Sequence, residues 1–206
     1  MSQTPYWYAV TTPNPEMPPD LAESCDEVAG KSGFLPRIYT ALSYFPEQFR
    51  AFFAYHDALM SDDVPLSRAE RELIVVATSA TNNCTYCVVA HGALLRIRAK
   101  HPWISDQVAV DFEKADMSER QRAICRFAHK VAQHAENVTE QDFAPLYAEG
   151  LNDEAIWLVG SIAAFFALSN RLAGFAKILP NDEFYLMARQ PTEYASPRFE
   201  PRPQQH

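Results

Sequence analysis

An all-α domain is what the sequence predicts, and three observations carry that reading. The dominant apolar period through the body of the chain is helical, N-cap signals recur ahead of the periodic segments, and no stretch reads as a convincing strand or hairpin. The chain has 206 residues, 48% hydrophobic and 21% charged, enough for one well-buried core. Ten of the fifteen prolines lie in residues 1–20 or 180–206. The chain therefore divides into an N-terminal arm (1–19), a helical domain (20–180) and a C-terminal arm (181–206). Both arms carry large apolar groups, Tyr6, Trp7, Tyr8, Phe184, Tyr185, Tyr194 and Phe199, which gain by burial and are expected to wrap a neighbouring subunit.

Within the domain, helices are expected near 19–30, 36–43 and 46–60, and then near 68–81 behind Ser67-x-x-Glu70, where each side chain can satisfy an orphan amide of the first turn. Ile74, Val75 and Val76 are β-branched and alone could pass for a buried strand, but the capping box and a length of about fifteen residues favour helix. The next helix, near 84–100, can be capped by Asn82 or Asn83; others follow near 105–114, near 119–136 behind Ser118-x-x-Gln121, near 140–149 behind Thr139-x-x-Asp142, and near 153–178 behind Asn152. Leu66–Arg71 and Met117–Arg122 look alike and each opens an apolar helix, a weak internal repeat that sets Ala123 opposite Glu72. The helical pattern therefore does not itself require a carboxylate at Glu72.

Eighteen basic against 26 acidic residues give a net charge of -8, which repels phosphate backbones and anionic lipid, so neither nucleic acid nor membrane is an expected partner. The apolar run Ile156–Leu168 is short of the ~20 residues that span a bilayer. The first basic residue is Lys31 and no leader-like apolar region precedes it, so a cytoplasmic location is expected. There, four cysteines (Cys25, Cys84, Cys87, Cys125) do not read as a disulfide framework, and a C-x-x-C pair points to redox or metal chemistry.

Asn82-Asn83-Cys84-Thr85-Tyr86-Cys87-Val88-Val89-Ala90-His91 is the informative stretch. A helix start lowers thiol pKa through its orphan amides, and spacings of three and four residues set Cys84, Cys87 and His91 on one stripe. On residues alone, three readings stay open: a thiol pair with a proton carrier, small core thiols beside a buried histidine, or a zinc site with His56, Cys125 or Glu72 as fourth ligand. By spacing, Glu72 reads as a solvated ion pair with Arg68 one turn earlier. Asn170-Arg171 interrupts an apolar helix and could anchor a carboxylate near the site; Cys25 and Cys125 read as inert core thiols, and Ile156, Trp157, Val159, Phe165 and Phe166 as core or subunit interface.

Leu66-Ser67-Arg68-Ala69-Glu70-Arg71-Glu72-Leu73-Ile74, Ser79, the C-x-x-C stretch and His91-Gly92-Ala93-Leu94-Leu95 resemble the peroxidase-related branch of the alkylhydroperoxidase D and carboxymuconolactone decarboxylase superfamily. Gly33–Pro36, Val138–Glu140, Gly150–Glu154 and Asn170–Ala173 extend the likeness over most of the domain. The resemblance implies an all-helical, homo-oligomeric subunit with a peroxidase site that needs no haem, flavin or metal cofactor. It implies that Cys87 is the cysteine oxidised to sulfenic acid, Cys84 the outer cysteine that closes the disulfide and hands it to a reductant, and Glu72 and His91 the proton relay; exchange with that reductant is expected at an exposed Cys84 sulfur. Peroxide would be the substrate and an external thiol or dithiol the reductant. Tyr86 stands where well-characterised hydroperoxidases carry a second histidine. Decarboxylase or lactone chemistry, and a non-enzymatic thiol sensor or zinc-binding protein on the same scaffold, are the alternatives.

Overall fold

A computed structural model describes residues 4–62 and 64–189. It contains helices α1 (Pro19–Ser32), α2 (Arg37–Leu42), α3 (Pro46–Met60), α4 (Arg68–Thr81), α5 (Thr85–Ala99), α6 (Ile104–Asp111), α7 (Glu119–His134), α8 (Ala144–Ala148), α9 (Asp153–Phe175) and α10 (Asp182–Leu186), and no strand among the described residues. The fold is all-α, as the helical period predicts.

The caps form as the sequence suggests. Ser67 Oγ accepts from Glu70 N at 3.2 Å while Glu70 Oε2 accepts from Ser67 N at 2.8 Å, and Ser118 with Gln121 repeats the arrangement at 3.2 and 2.9 Å. Asn152 Oδ1 accepts from Ala155 N at 2.9 Å to start α9. Two expected helices are broken by local side-chain bonds. At the end of α6, Asp111 accepts from Glu113 N and tightens Phe112–Lys114 into a 3-10 turn. Thr139 and Asp142 cap a separate 3-10 turn, and Pro145, which has no N–H, fits only the first turn of the short α8 that follows. Helix α9 stops at Phe175, and Lys177 beyond it turns left-handed at φ 56°.

Helix α4 is the centre. Its residues Glu70–Ser79 are all buried, and it packs against α5, α6, α7 and α9. Burying Leu73, Ile74, Val75 and Val76 stabilises the fold by about 1.5–3 kcal/mol for each side chain. Gly92 lets α5 approach α6: a Cβ there would meet Ser105 Cβ at 3.2 Å. Helix α9 is 23 residues long and apolar enough to cross a bilayer, longer than the run of thirteen or so suggested by hydropathy alone, but 56% of its most apolar stretch is buried inside the protein, the environment of a core helix.

Both arms, as far as they are described, fold onto their own chain rather than away from it. Trp7 packs edge-on to Phe175 with centroids 5.4 Å apart, and Ala9 N donates to Ala176 O. The C-terminal segment forms α10, whose Phe184 is buried edge-on to Phe34. It is clamped by the buried Arg96, which donates to the carbonyls of Phe184 and Met187 and to Ser105 Oγ, all at 2.9 Å. Tyr194 and Phe199 lie outside the described residues.

Candidate active site

The α4–α5 turn positions the thiols. Asn82 is the C-cap of α4, Asn83 takes the left-handed conformation at φ 54°, and Cys84 rather than either asparagine is the N-cap of α5. Cys84 Sγ accepts from Cys87 N at 3.4 Å, and Cys84 N donates to Ser79 O at 2.9 Å. The expectation that both cysteines lie inside the first turns is thus corrected: Cys84 caps the helix with its own sulfur. Both cysteines are buried, Cys84 at 5% and Cys87 at 1% exposure, which also corrects the expectation of an exposed outer sulfur. Phe184, Ala173, Ile178 and Met187, from α9 and the C-terminal segment, pack over the pair.

The two sulfurs titrate together. Hydrogen bonding from Cys87, then the amides of Cys87 and Tyr86 and the side chain of Asn170, draws Cys84 down to about 7 against the opposing effect of burial. Cys87 moves the other way, because the thiolate beside it holds its proton and burial disfavours a second charge. The pair therefore gives up a first proton more readily than an isolated thiol and a second less readily, with the charge favoured at Cys84, where the Cys87 amide meets the sulfur.

Glu72 is not paired with Arg68. Arg68 is exposed and bonds Asp62, while Glu72 is completely buried and shared between two α5 residues: Oε2 meets His91 Nδ1 at 2.8 Å and Oε1 accepts from Arg98 Nη1 at 2.6 Å. Spacing on α4 alone hides this, because the partners come from the neighbouring helix. A carboxylate with an arginine on its other oxygen only accepts, so Nδ1 of His91 donates in this bond and Nε2 is the ring nitrogen that Glu72 leaves unused. The ring is held edge-on to Phe166 at 4.7 Å. Arg98, seven residues beyond His91, lies on the same helical stripe and is the partner that sequence reasoning passed over.

Cys87 and His91 line one cavity of about 230 Å³, walled by Ile38, Tyr39, Phe52, Phe53, Phe166 and Phe184; Cys84 is not among its lining residues. Tyr86 forms part of the same wall, and its hydroxyl accepts from Ile38 N at 3.2 Å, so it ties α2 to α5. Burial and nearby thiol charge push its phenol well above the ordinary range, which makes it no proton carrier near neutral pH.

The other candidates separate from this cluster. Cys125 packs with Leu73, Leu95 and Val108, and burial pushes its thiol up to about 12; Cys25 packs with Leu21, Leu42 and Phe49. Arg171 is exposed and, among the described residues, bonds the Ala167 carbonyl and no carboxylate, whereas Asn170 is buried and bonded to Ser79 and Asn82 at the α4–α5 turn. His56 does line the cavity, but no group of three or more His, Cys, Asp or Glu among the described residues is arranged to hold a metal ion.

The carboxymuconolactone decarboxylase family model matches residues 46–101, the segment from α3 through α5 that carries Glu72, both cysteines and His91. A solved peroxidase-related protein with an alkylhydroperoxidase D core from Ralstonia eutropha JMP134 is 49% identical, with a TM-score of 0.87 over 91% of this chain and 100% of its own. A second peroxidase-related protein, from Silicibacter sp. TM1040, is 30% identical with a TM-score of 0.84 over 92% of this chain and 100% of its own. The debrominase Bmp8 shares the fold alone, at 18% identity and a TM-score of 0.68 over 82% of this chain and 90% of its own. No curated protein sequence matches the chain.

Proposed function

We propose that this chain, which belongs to the peroxidase-related branch of the alkylhydroperoxidase D and carboxymuconolactone decarboxylase superfamily, is a cytoplasmic thiol peroxidase that reduces hydrogen peroxide or small organic hydroperoxides through Cys84 and Cys87. The observation that carries the reading is the division of labour around the cavity: Cys87 and a carboxylate-oriented His91 face it, while Cys84 waits behind as a stabilised thiolate.

In the first step Cys87 sulfur attacks the outer oxygen of the hydroperoxide and the O–O bond breaks. The Cys87 proton passes to His91 Nε2 and from there to the departing alkoxide, so thiol plus hydroperoxide become sulfenic acid plus alcohol. Glu72 and Arg98 are positioning residues here, since Glu72 has both oxygens occupied and acts on the thiols only through His91. In the second step the Cys84 thiolate attacks the sulfenic sulfur, hydroxide leaves and takes up a proton as water, and a Cys84–Cys87 disulfide remains. An external dithiol restores the pair by exchange. Because both sulfurs are buried, that partner reaches them only when the cover of Phe184 and Met187 opens.

The test is stopped-flow consumption of hydrogen peroxide and of cumene hydroperoxide with a panel of dithiols, paired with mass mapping of the oxidised protein. Turnover with a Cys84–Cys87 disulfide is expected, and faster reaction with the bulkier peroxide, whose apolar group matches the aromatic wall. Peroxide left unconsumed while both thiols remain alkylatable would overturn the reading.

A homo-oligomer is part of the same proposal. Trp157 is 78% exposed and, with Tyr55 and Tyr147, lines a shallow apolar groove of about 580 Å³ on the outer face of α9, surface that a second copy of the chain would cover. Light scattering at micromolar concentration should give at least twice the 23.3 kDa chain mass. A single monomer peak would remove the oligomer from the proposal.

A further inference from the structure

Arg96, on α5, is 2% exposed, yet no carboxylate among the described residues pairs with it. Its three bonds go to neutral acceptors: Nη2 donates to Phe184 O, Nε to Met187 O and Nη1 to Ser105 Oγ. Asp106, next to Ser105, is taken by Arg189 instead. Phe184 lies in the last turn of α10 and Met187 is its C-cap, where a helix leaves carbonyls without partners of its own. A helix of five residues does not hold its shape alone, so α10 is ordered by what it docks on.

The start of this segment is tied separately. Asn181 Oδ1 accepts from Arg37 N and Asn181 Nδ2 donates to Leu35 O, both at 3.0 Å, and Arg37 Nη1 donates to Pro180 O at 3.3 Å. Asn181 thus fixes the base of the segment at the start of α2, while Arg96 and the Arg189–Asp106 pair hold its far end to α5 and α6. The side chains held in this way, Phe184 and Met187, pack over the thiols, and Cys84 lies beneath them outside the peroxide cavity. The cavity has its own partly exposed lining at Val28, Ser32, Phe53 and His56, on α1 and α3, well apart from α10 in sequence.

We propose that α10 with Met187 is a lid for the reductive half of the cycle, anchored at Asn181 and latched by Arg96: peroxide reaches Cys87 with the lid shut, and the dithiol reaches Cys84 only when the latch releases. The inference rests on the redox reading of the pair. With the lid open, a thiolate of the dithiol attacks Cys84 Sγ, the Cys84–Cys87 bond breaks, and Cys87 leaves as a thiolate that takes up a proton. The second thiol of the reductant then attacks the mixed disulfide and gives up its proton as Cys84 is freed, so two electrons pass to the protein and the reductant departs as a disulfide. A guanidinium held by carbonyls suits a latch. Its burial without a counter-charge weighs against the closed state, and on opening it regains water while losing only neutral partners.

The test needs no peroxide to prepare the oxidised protein. The Cys84–Cys87 disulfide is formed with diamide, and its reduction by dithiothreitol is followed in the wild type, Arg96→Gln and Arg189→Ala, with melting temperature as the check on folding. Where opening and closing outpace exchange, reduction follows the open population. Hydrogen bonds from a charged donor are strong enough that Arg96→Gln should be reduced roughly tenfold faster. Arg189→Ala, which removes one exposed tie and no buried group, should gain about threefold. Single-turnover oxidation of the reduced protein by peroxide should stay within about twofold in both variants, and amide exchange should rise across residues 183–188 while α4 keeps its protection. Equal reduction rates in all three proteins overturn the lid, because the dithiol then reaches the pair through the closed structure. Peroxide oxidation that rises in step with reduction overturns it too, because the latch then braces the whole site. If Arg96→Gln does not fold, Arg189→Ala decides by the same criteria. Faster reduction with exchange raised in residues 183–188 alone, in a protein that consumes no peroxide, would sustain the lid and sink the peroxidase reading.

Discussion

Cys87→Ser should abolish peroxide turnover, while Cys84→Ser should consume one equivalent and stop. Only Cys87 shares the cavity with His91, so replacing its sulfur removes the nucleophile, whereas the Cys84 thiolate has no line to a peroxide bound against that wall. In Cys84→Ser the attacking sulfur remains and nothing condenses on it, so sulfenic acid accumulates and is trapped by dimedone at Cys87. The same variant removes the main cause of the raised Cys87 titration, the hydrogen bond to the Cys84 sulfur, along with that sulfur's charge, and its Cys87 should alkylate at lower pH than in the wild type. In the wild type, disulfide closure should slow as pH falls below about 7, where Cys84 takes up its proton and stops being a nucleophile. Stable dimedone labelling of Cys84 in Cys87→Ser would reverse the two roles.

The parts of the molecule that local chemistry specifies were readable from the chain alone. Ser67, Ser118 and Asn152 announce their helices because a cap is a bond between residues three apart, visible in sequence. The stripe of Cys84, Cys87 and His91 is legible for the same reason, since helical spacing predicts proximity within α5. What spacing could not convey is any partner brought by another helix. Glu72 looks like a surface acid beside Arg68 until α5 supplies His91 and Arg98 and closes it from water. Asn170 lies 83 or more residues from either cysteine, and its bond to Ser79 spans 91 positions. In the C-terminal arm, proline and aromatic content did not convey the short helix α10: Arg96 recruits that segment by its carbonyls, a tertiary bond with no signature in the segment itself. Cys84 as its own N-cap was missed because asparagine is the commoner cap and two stood just ahead of it.

Glu72→Gln should lower the rate of the peroxide step by about 100- to 10,000-fold, the range typical of losing general-base assistance, while leaving the Cys84 titration near 7. The causes that lower Cys84 are the hydrogen bond from Cys87, the amides of its own turn and Asn170, none of which involves Glu72, so the ground-state pair should survive the substitution. The transfer from Cys87 to His91 should not. Glutamine can accept from His91 Nδ1 through one atom, but it offers an N–H group where Arg98 needs an acceptor, or it flips to satisfy Arg98 and turns an N–H donor towards His91. In the second arrangement the imidazole adopts the tautomer with its proton on Nε2 and loses its base towards the cavity. The stability cost should be about 1–3 kcal/mol, since Arg98, at 28% side-chain exposure, reaches enough water to soften the loss of its partner. Because Glu72 acts only through His91, the double variant Glu72→Gln, His91→Gln should be no slower than His91→Gln alone. Single-turnover oxidation across pH 5–9, set beside alkylation rates, separates the outcomes. Additive losses would mean that the carboxylate reaches the thiols by a second route, and an undiminished peroxide rate in Glu72→Gln would leave Glu72 as a structural tie between α4 and α5.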